Sequence, residues 1–275
     1  ELTDFIGQDI NYQVSRQIWQ DMQYDPRYTP GHLQRSLVDA GLLGKKNGRS
    51  YFAAEETAPP VTAAIDADVE TLRVYGEHPF FTLLQQQAAR QWPQLRVEQR
   101  PALPSLGPAV QINGAFTVSI TDGRTASQLA EQTTADAFVI DIALNYADTA
   151  YLVAAHNRYA SAANKALFLR LLHTAIPQVE FIKDSPALIV ARVLSSLINE
   201  SVIMVESGVC SREDIDVAAV AGVNYAGGIF DWLGKLGEKN VRTTLSNLAQ
   251  LLHAARYAPH YTLLHAAQPA LTTTP

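Results

Sequence analysis

The chain has 275 residues, enough for one to two domains. Apolar residues make up 47% and charged residues 17%, so a large core can form and general disorder is excluded. The net charge of -6 argues against a nucleic-acid partner, which needs a basic face, and no run approaches the roughly 18 apolar residues of a membrane span.

Residues 1–54 read as helices. Ile10, Val14, Ile18 and Met22 recur every four residues and give one apolar stripe, and Asp25-Pro26 is expected to end that helix. Thr29-Pro30 reads as an N-cap followed by proline at the first helical position. The helix it opens carries Leu33, Leu37 and Val38 and stops near Gly41. Gly44-Lys45-Lys46-Asn47-Gly48-Arg49 is a basic turn bounded by glycines, and residues 55–69, with Pro59-Pro60, read as a linker.

Residues 70–183 change character. Short β-rich runs at 72–75, 95–97, 138–142, 151–153 and 179–182 alternate with helical stretches at 81–92, 125–132 and 162–175. Asn113-Gly114 separates the β-rich runs 109–112 and 116–120, either as a hairpin turn or as the start of a strand. The alternation predicts a mostly parallel sheet with helices on its faces.

Residues 184–267 are helical again. Asp184-Ser185-Pro186 is expected to open a helix that runs to about Ser207 and is apolar nearly all round, as in the middle of a bundle. Ser211 and Asp214 have capping-box spacing, and residues 268–275 form a Pro- and Thr-rich tail.

The chain also repeats itself. Gly7, followed by an amphipathic stretch and Arg27-Tyr28-Thr29-Pro30, is echoed by Gly237, a second amphipathic stretch and Arg256-Tyr257-Ala258-Pro259. A long apolar run precedes the second copy and none precedes the first. A bare hairpin leaves an apolar face wet at about 25 cal/mol per Å². The expectation is therefore that upstream sequence, or another chain, completes the first copy.

Few residues announce chemistry. The single cysteine, Cys210, excludes an internal disulfide, and no secretory signal is visible, so the cytoplasm is the expected compartment. A dinucleotide site needs G-x-G-x-x-G after the first strand. Here Gly76-Glu77-His78-Pro79 offers one glycine, an anion where phosphate would sit, and a proline without an N–H. Thr121-Asp122-Gly123-Arg124-Thr125 reads as an ordinary capped turn, with anion or CoA binding as its alternative. His253, His260 and His265 are too far apart for one helix face and read as surface or packing residues, so no metal is expected. Asp214 and Asp216 read as helix-start acids.

Several stretches resemble the 3-hydroxyacyl-CoA dehydrogenases. They are Gly7-Gln8-Asp9-Ile10-Asn11-Tyr12 leading to residues 44–49, Lys183-Asp184-Ser185-Pro186 through Asn199-Glu200, and Asp214-Ile215-Asp216 to the Gly227-Gly228-Ile229-Phe230 segment. The layout is similar to a bacterial subset that includes 3-hydroxybutyryl-CoA and phenylacetate-pathway dehydrogenases. The resemblance implies a mixed fold in which two helical C-terminal-type domains (1–54 and 184–267) flank a degenerate Rossmann-like α/β domain (70–183). It implies the C-terminal portion of an enzyme that oxidises 3-hydroxyacyl-CoA to 3-ketoacyl-CoA with NAD. The His base and its Glu partner are then expected upstream of Glu1.

Leu152-Val153-Ala154-Ala155 stands where the family has that Glu, and Ala191 stands before Arg192 where it has Asn. Within this chain no catalytic residue is expected. Lys46 is implied to reach the cofactor, with Gly48 letting the turn close and Lys45 beside it. The resemblance further implies a 3-hydroxyacyl-CoA substrate and a homo-oligomer. The alternative is a non-catalytic assembly or dimerisation module.

Overall fold

A computed structural model describes residues 2–51, 68–103, 105–133 and 135–265. Phe52, most of the expected linker and the Pro- and Thr-rich tail lie outside the described residues. The chain divides into two compact units: residues 1–62 with Ala254–Arg256, and residues 63–253 with Tyr257–Pro275.

In the first unit, α1 (Leu2–Ile6) and α2 (Gln8–Asp21) meet at Gly7, whose φ of +107° is open to glycine. The stripe on α2 forms as expected, but Ile10, Val14, Ile18 and Met22 are each about half exposed. α2 stops four residues before Asp25, because Gln23 and Tyr24 take positive φ. Asp25 instead caps a short 3₁₀ turn, Pro26–Tyr28, by accepting the Arg27 N–H at 2.9 Å. α3 (His32–Asp39) starts after Gly31, whose N–H donates to Gln34 Oε1 at 2.8 Å, so Thr29-Pro30 lies outside the helix rather than capping it. Gln34 Nε2 also donates to Asn11 Oδ1 and Ser15 Oγ, which ties α3 to α2.

In the second unit a seven-stranded sheet runs β2-β1-β3-β4-β5-β6-β7. Its strands are β1 (Thr71–Tyr75), β2 (Arg96–Arg100), β3 (Ala109–Ile112), β4 (Phe116–Ile120), β5 (Asp136–Ile140), β6 (Tyr151–His156) and β7 (Gln178–Phe181). The expectation of a mostly parallel sheet fails. The pairs β1–β2, β4–β5 and β6–β7 are parallel, and β1–β3, β3–β4 and β5–β6 are antiparallel.

Asn113-Gly114 is one cause. Both residues take positive φ, 51° and 67°, and turn β3 directly into β4. The Asn113 side chain also accepts the N–H groups of Glu70 and Thr71 at 2.9 and 3.0 Å, fixing the hairpin against the start of β1.

Strand alternation sorts the core into two faces. Phe138 and Ile140 of β5 point with Leu152 and Ala154 of β6 towards α4 (Pro79–Gln91) and α6 (Ala162–Leu172). Phe138 stacks on Phe168 of α6 at 4.5 Å between ring centroids. Ala137 and Val139 point the other way, against α5 (Ala126–Thr133) and Leu188.

The chain then enters α7 (Val190–Glu206), α8 (Arg212–Val217) running into a π turn at Ala218–Gly222, α9 (Ile229–Leu236), α10 (Glu238–Leu252) and α11 (Tyr261–His265). Leu194, Ile198 and Val202 of α7 pack with Trp232, Val241 and Leu245. Ser211 and Asp214 form the expected capping box on α8. α7 begins at Val190, not Pro186, because Ala187 and Leu188 take positive φ. No helix among the described residues is long and apolar enough to cross a membrane.

Candidate functional site

The basic turn of the first unit is held from both ends. Gly44 N–H donates to Arg49 O at 3.0 Å, Lys45–Asn47 form a 3₁₀ turn, and Gly48 closes it at φ +69°. A Cβ on Gly48 would meet nothing, so its requirement is backbone conformation alone. On Gly44 a Cβ would overlap the backbone of Asp4. Asp4 is buried in α1 and accepts from Gln8 Nε2 at 2.8 Å, from Ser50 Oγ and from the Tyr51 N–H, which anchors the turn on α1.

The two lysines leave this turn in different directions. Lys45 Nζ lies 5.9 Å from the ring centre of Phe5. Lys46 Nζ donates to both carboxylate oxygens of Asp9 in the first turn of α2. That bond holds the Asp9 carboxyl below the usual range. Gly7 lies beneath the pair: a Cβ there would sit 2.9 Å from Asp9 Oδ1 and 3.1 Å from Lys46 Nζ. The sequence reading named Lys45, Lys46 and Gly48 but missed Asp9, which is 37 residues from its partner with no local spacing to join them.

In an open α/β sheet ligands bind at the carboxyl ends of the strands. After β1, Gly76 turns at φ +68° and is followed by Glu77, His78 and Pro79. His78 Nδ1 accepts the Phe80 N–H at 3.3 Å and caps α4. Its ring packs 5.5 Å from Phe81 and 5.6 Å from Tyr146, and burial pushes its pKa down to about 4. Burial also pushes the Tyr146 hydroxyl up. The imidazole is therefore neutral at neutral pH, with its Nδ1 committed to the cap.

After β4 comes the turn weighed as a capped turn or an anion site. Thr125 and Gln128 cap α5 reciprocally, Gln128 Oε1 taking the Thr125 N–H at 3.0 Å and Thr125 Oγ1 taking the Gln128 N–H at 3.2 Å. The next two donors, the N–H groups of Ala126 and Ser127, go to the Asp184 carboxylate at 2.7 and 2.9 Å. Gly123 lies so close to α10 that a Cβ would meet Thr244 O at 2.7 Å, and Asn247 Nδ2 donates to Asp122 O at 2.9 Å. The turn is thus capped and packed with this chain's own groups.

Asp184 therefore does not open α7, as the sequence suggested. That task falls to Asp141, at the end of β5, which accepts the N–H groups of Ile189, Val190 and Ala191 at 2.9, 2.7 and 3.0 Å. Burial pushes the Asp141 carboxyl up, while these backbone donors pull it the other way.

The remaining candidates make local contacts, apart from His265, whose side chain lies outside the described residues. Asp214 closes its capping box, and Asp216 accepts the Phe230 N–H at 2.8 Å at the head of α9. His253 ends α10 in a left-handed conformation, and His260 Nδ1 pairs with Thr262 Oγ1 at 2.8 Å.

Comparison with known proteins adds the following. The sequence profile of the 3-hydroxyacyl-CoA dehydrogenase C-terminal domain matches residues 1–54 and 188–269. The profile of the 3-hydroxybutyryl-CoA dehydrogenase reduced Rossmann-fold domain matches residues 118–186, and the two together match about three quarters of the chain. The 3-hydroxyadipyl-CoA dehydrogenase of Escherichia coli (strain K12) is 29% identical over 261 residues, 94% of this chain and 48% of its own length. The crystal structure of 3-hydroxybutyryl-CoA dehydrogenase from Escherichia coli K12 matches with a TM-score of 0.73 and 26% identity, over 97% of this chain and 50% of that one. The (S)-3-hydroxybutyryl-CoA dehydrogenase from Ralstonia eutropha shares the fold at a TM-score of 0.50 and 14% identity, over 67% of this chain and 76% of that one. The chain spans about half the length of the first two relatives.

Proposed function

The chain belongs to the 3-hydroxyacyl-CoA dehydrogenase family, and we propose that it is the C-terminal part of an NAD-dependent member that oxidises 3-hydroxyacyl-CoA to 3-ketoacyl-CoA. On this reading the working Rossmann domain lies elsewhere in the protein, and this chain supplies helical packing, subunit contacts and one edge of the cofactor pocket. Bound NAD would accept the hydride from the hydroxyl-bearing carbon.

The observation that carries the reading is the Asp184 carboxylate on the head of α5. That helix follows β4, as the phosphate-binding helix follows its strand in a dinucleotide fold, and its free donors are spent on a group of this chain. At the end of β1, Glu77 and Pro79 remove the charge balance and the donor that a pyrophosphate requires. The sheet's residues do not fit NAD, and we therefore read it as a degenerate duplicate.

The donors of the first unit fit better. Lys46 and Lys45 put two ammonium groups on one anchored turn, and Gly48 keeps that turn tight. Lys46 would hold a cofactor phosphate as a point charge, through the donor that its bonds to Asp9 leave free. The substrate would be a 3-hydroxyacyl-CoA, the assembly a homo-oligomer and the compartment the cytoplasm.

The test is direct. The chain by itself, given acetoacetyl-CoA and NADH, is expected to show no absorbance change at the nicotinamide band. Steady turnover would overturn the proposal.

A second reading, a non-catalytic assembly module, draws on the repeat. Gly7 (φ 107°, ψ 130°) and Gly237 (φ 81°, ψ 133°) cap α2 and α10 with the same unusual backbone, as one hairpin used twice. Deleting residues 70–275 from the full-length enzyme separates the two: lost activity with assembly intact supports the enzymatic role, and lost assembly supports the scaffold.

A further inference from the structure

We propose that Asp9 is the positioning residue for Lys46, holding its ammonium over Gly7 where a cofactor phosphate meets it. The inference rests on the reading of Lys46 given above and deepens it.

Both ends of the Asp9–Lys46 pair stand on fixed backbone. Asp9 lies in the first turn of α2, and Lys46 lies in a turn closed by the Gly44–Arg49 bridge and anchored to Asp4. An isolated surface pair loses much of its Coulombic gain to side-chain entropy. Here the backbone ordering at both ends comes from other contacts, and the pair orders only the lysine stem. Both side chains keep about a third of their surface open, so an anion can reach the ammonium without breaking the turn. The ammonium has three protons; Asp9 leaves at least one for an incoming phosphate oxygen. Asp9 thereby orients the charge and does not cancel it.

The second hairpin is an internal control. Gly237 repeats the backbone of Gly7, but the residue two places on is Lys239 where the first hairpin has Asp9. Among the described residues a Cβ on Gly237 would meet only Asn240 Nδ2, at 3.8 Å, whereas one on Gly7 would crowd both members of the pair. Among the described residues, a cation is seated over this glycine turn in the first copy and none over the turn in the second.

The experiment uses two readouts. First, the Lys46 amine of this chain is labelled with acetic anhydride and quantified by peptide mass spectrometry, with Lys45 as the internal reference. Asp9→Ala is expected to raise Lys46 labelling relative to Lys45 by about threefold, the scale of an exposed ion pair, and Asp9→Glu to restore part of the protection. Unchanged Lys46 labelling would overturn the inference; a rise shared equally by Lys45 would show a loosened turn and overturn it as well. Second, in the full-length enzyme Asp9→Ala is expected to raise the KM for NADH and leave kcat unchanged. If labelling responds but KM does not, Asp9 holds Lys46 without serving the cofactor, and the inference falls. If Lys46→Ala also leaves that KM unchanged, the cofactor role of Lys46 falls with it.

Discussion

Lowering the pH should destabilise the second unit through one side chain, His78. Its Nδ1 takes the Phe80 N–H and its ring is packed against Phe81 and Tyr146, so a proton has little room and no spare acceptor. Its pKa falls from 6.5 to about 4 on folding because burial disfavours the charged ring. Between those values the unfolded imidazole binds a proton that the folded one refuses. The unfolded state therefore gains, and stability drops as pH falls from about 6.5 towards 4; above 6.5 the group contributes nothing to the pH dependence. At about 1.4 kcal/mol per pKa unit the full loss is roughly 3 kcal/mol, of which about 2 should be seen by pH 5. His78→Asn keeps a capping side chain and removes the titration. Urea unfolding of both proteins from pH 7.5 to 5, followed by tryptophan fluorescence, gives a stability difference in which other titrating groups largely cancel. The packing loss in the variant offsets that difference by a constant. The difference should be flat above about pH 6.5 and then shift by about 2 kcal/mol in favour of the variant by pH 5. Parallel curves across the whole range would refute the reasoning, because they would show that His78 is free to protonate in the folded protein.

Three further outcomes follow from named contacts. Asp184→Ala strips the cap from Ala126 and Ser127 and should cost about 1–2 kcal/mol, read as a lower urea midpoint with an unchanged slope. Gly123→Ala places a Cβ against Thr244 O on a residue with φ +103°, and should lower the thermal midpoint more than Gly48→Ala does, since Gly48 has the same kind of backbone but open space around it. On the proposed function, Lys46→Ala in the full-length enzyme should raise the KM for NADH with kcat little changed, which steady-state kinetics at varied NADH will show.

The parts of this fold that were legible in the sequence are those set by local rules. The stripe on α2 and the capping box at Ser211 and Asp214 each depend on residues within a few positions of one another, and so does the Asn-Gly turn, which the sequence left open between a hairpin and the start of a strand. What could not be read was set by distant partners. Asp184-Ser185-Pro186 has the composition of a helix start, yet its carboxylate serves α5, 58 residues earlier, and α7 is capped by Asp141, 48 residues before its first donor. Thr29-Pro30 failed for a nearer reason: Gln34 caps Gly31, so the helix begins two residues later than the proline rule suggests. Glycine and lysine mark the turn at Lys45, Lys46 and Gly48 without help from the fold, and only the family resemblance gives those residues a cofactor role. Asp9 was not, since a single acid in a helix's first turn is ordinary until a lysine from elsewhere lands on it.

The strand directions bear on function as well as on architecture. In a doubly wound sheet the ligand crevice opens where two adjacent parallel strands send their loops to opposite faces. Here β1 leads through α4 on one face to β2, and β4 leads through α5 on the other face to β5, so the two strands flanking such a switch point are present. They are not adjacent. β3 lies between them and antiparallel to both, delivered there by the Asn113-Gly114 hairpin. Two strand spacings hold the carboxyl ends of β1 and β4 about 10 Å apart, twice the separation of neighbouring strands. A pyrophosphate lying over that gap would have to bridge a strand that presents the wrong end of its backbone. The single glycine after β1 and the Asp184 carboxylate on the α5 head stand on either side of that intervening strand. Introducing Gly-x-Gly-x-x-Gly after Tyr75 should not by itself create nicotinamide binding, and saturable NADH fluorescence from such a variant would show that the intervening β3 is no obstacle and that the motif alone is missing.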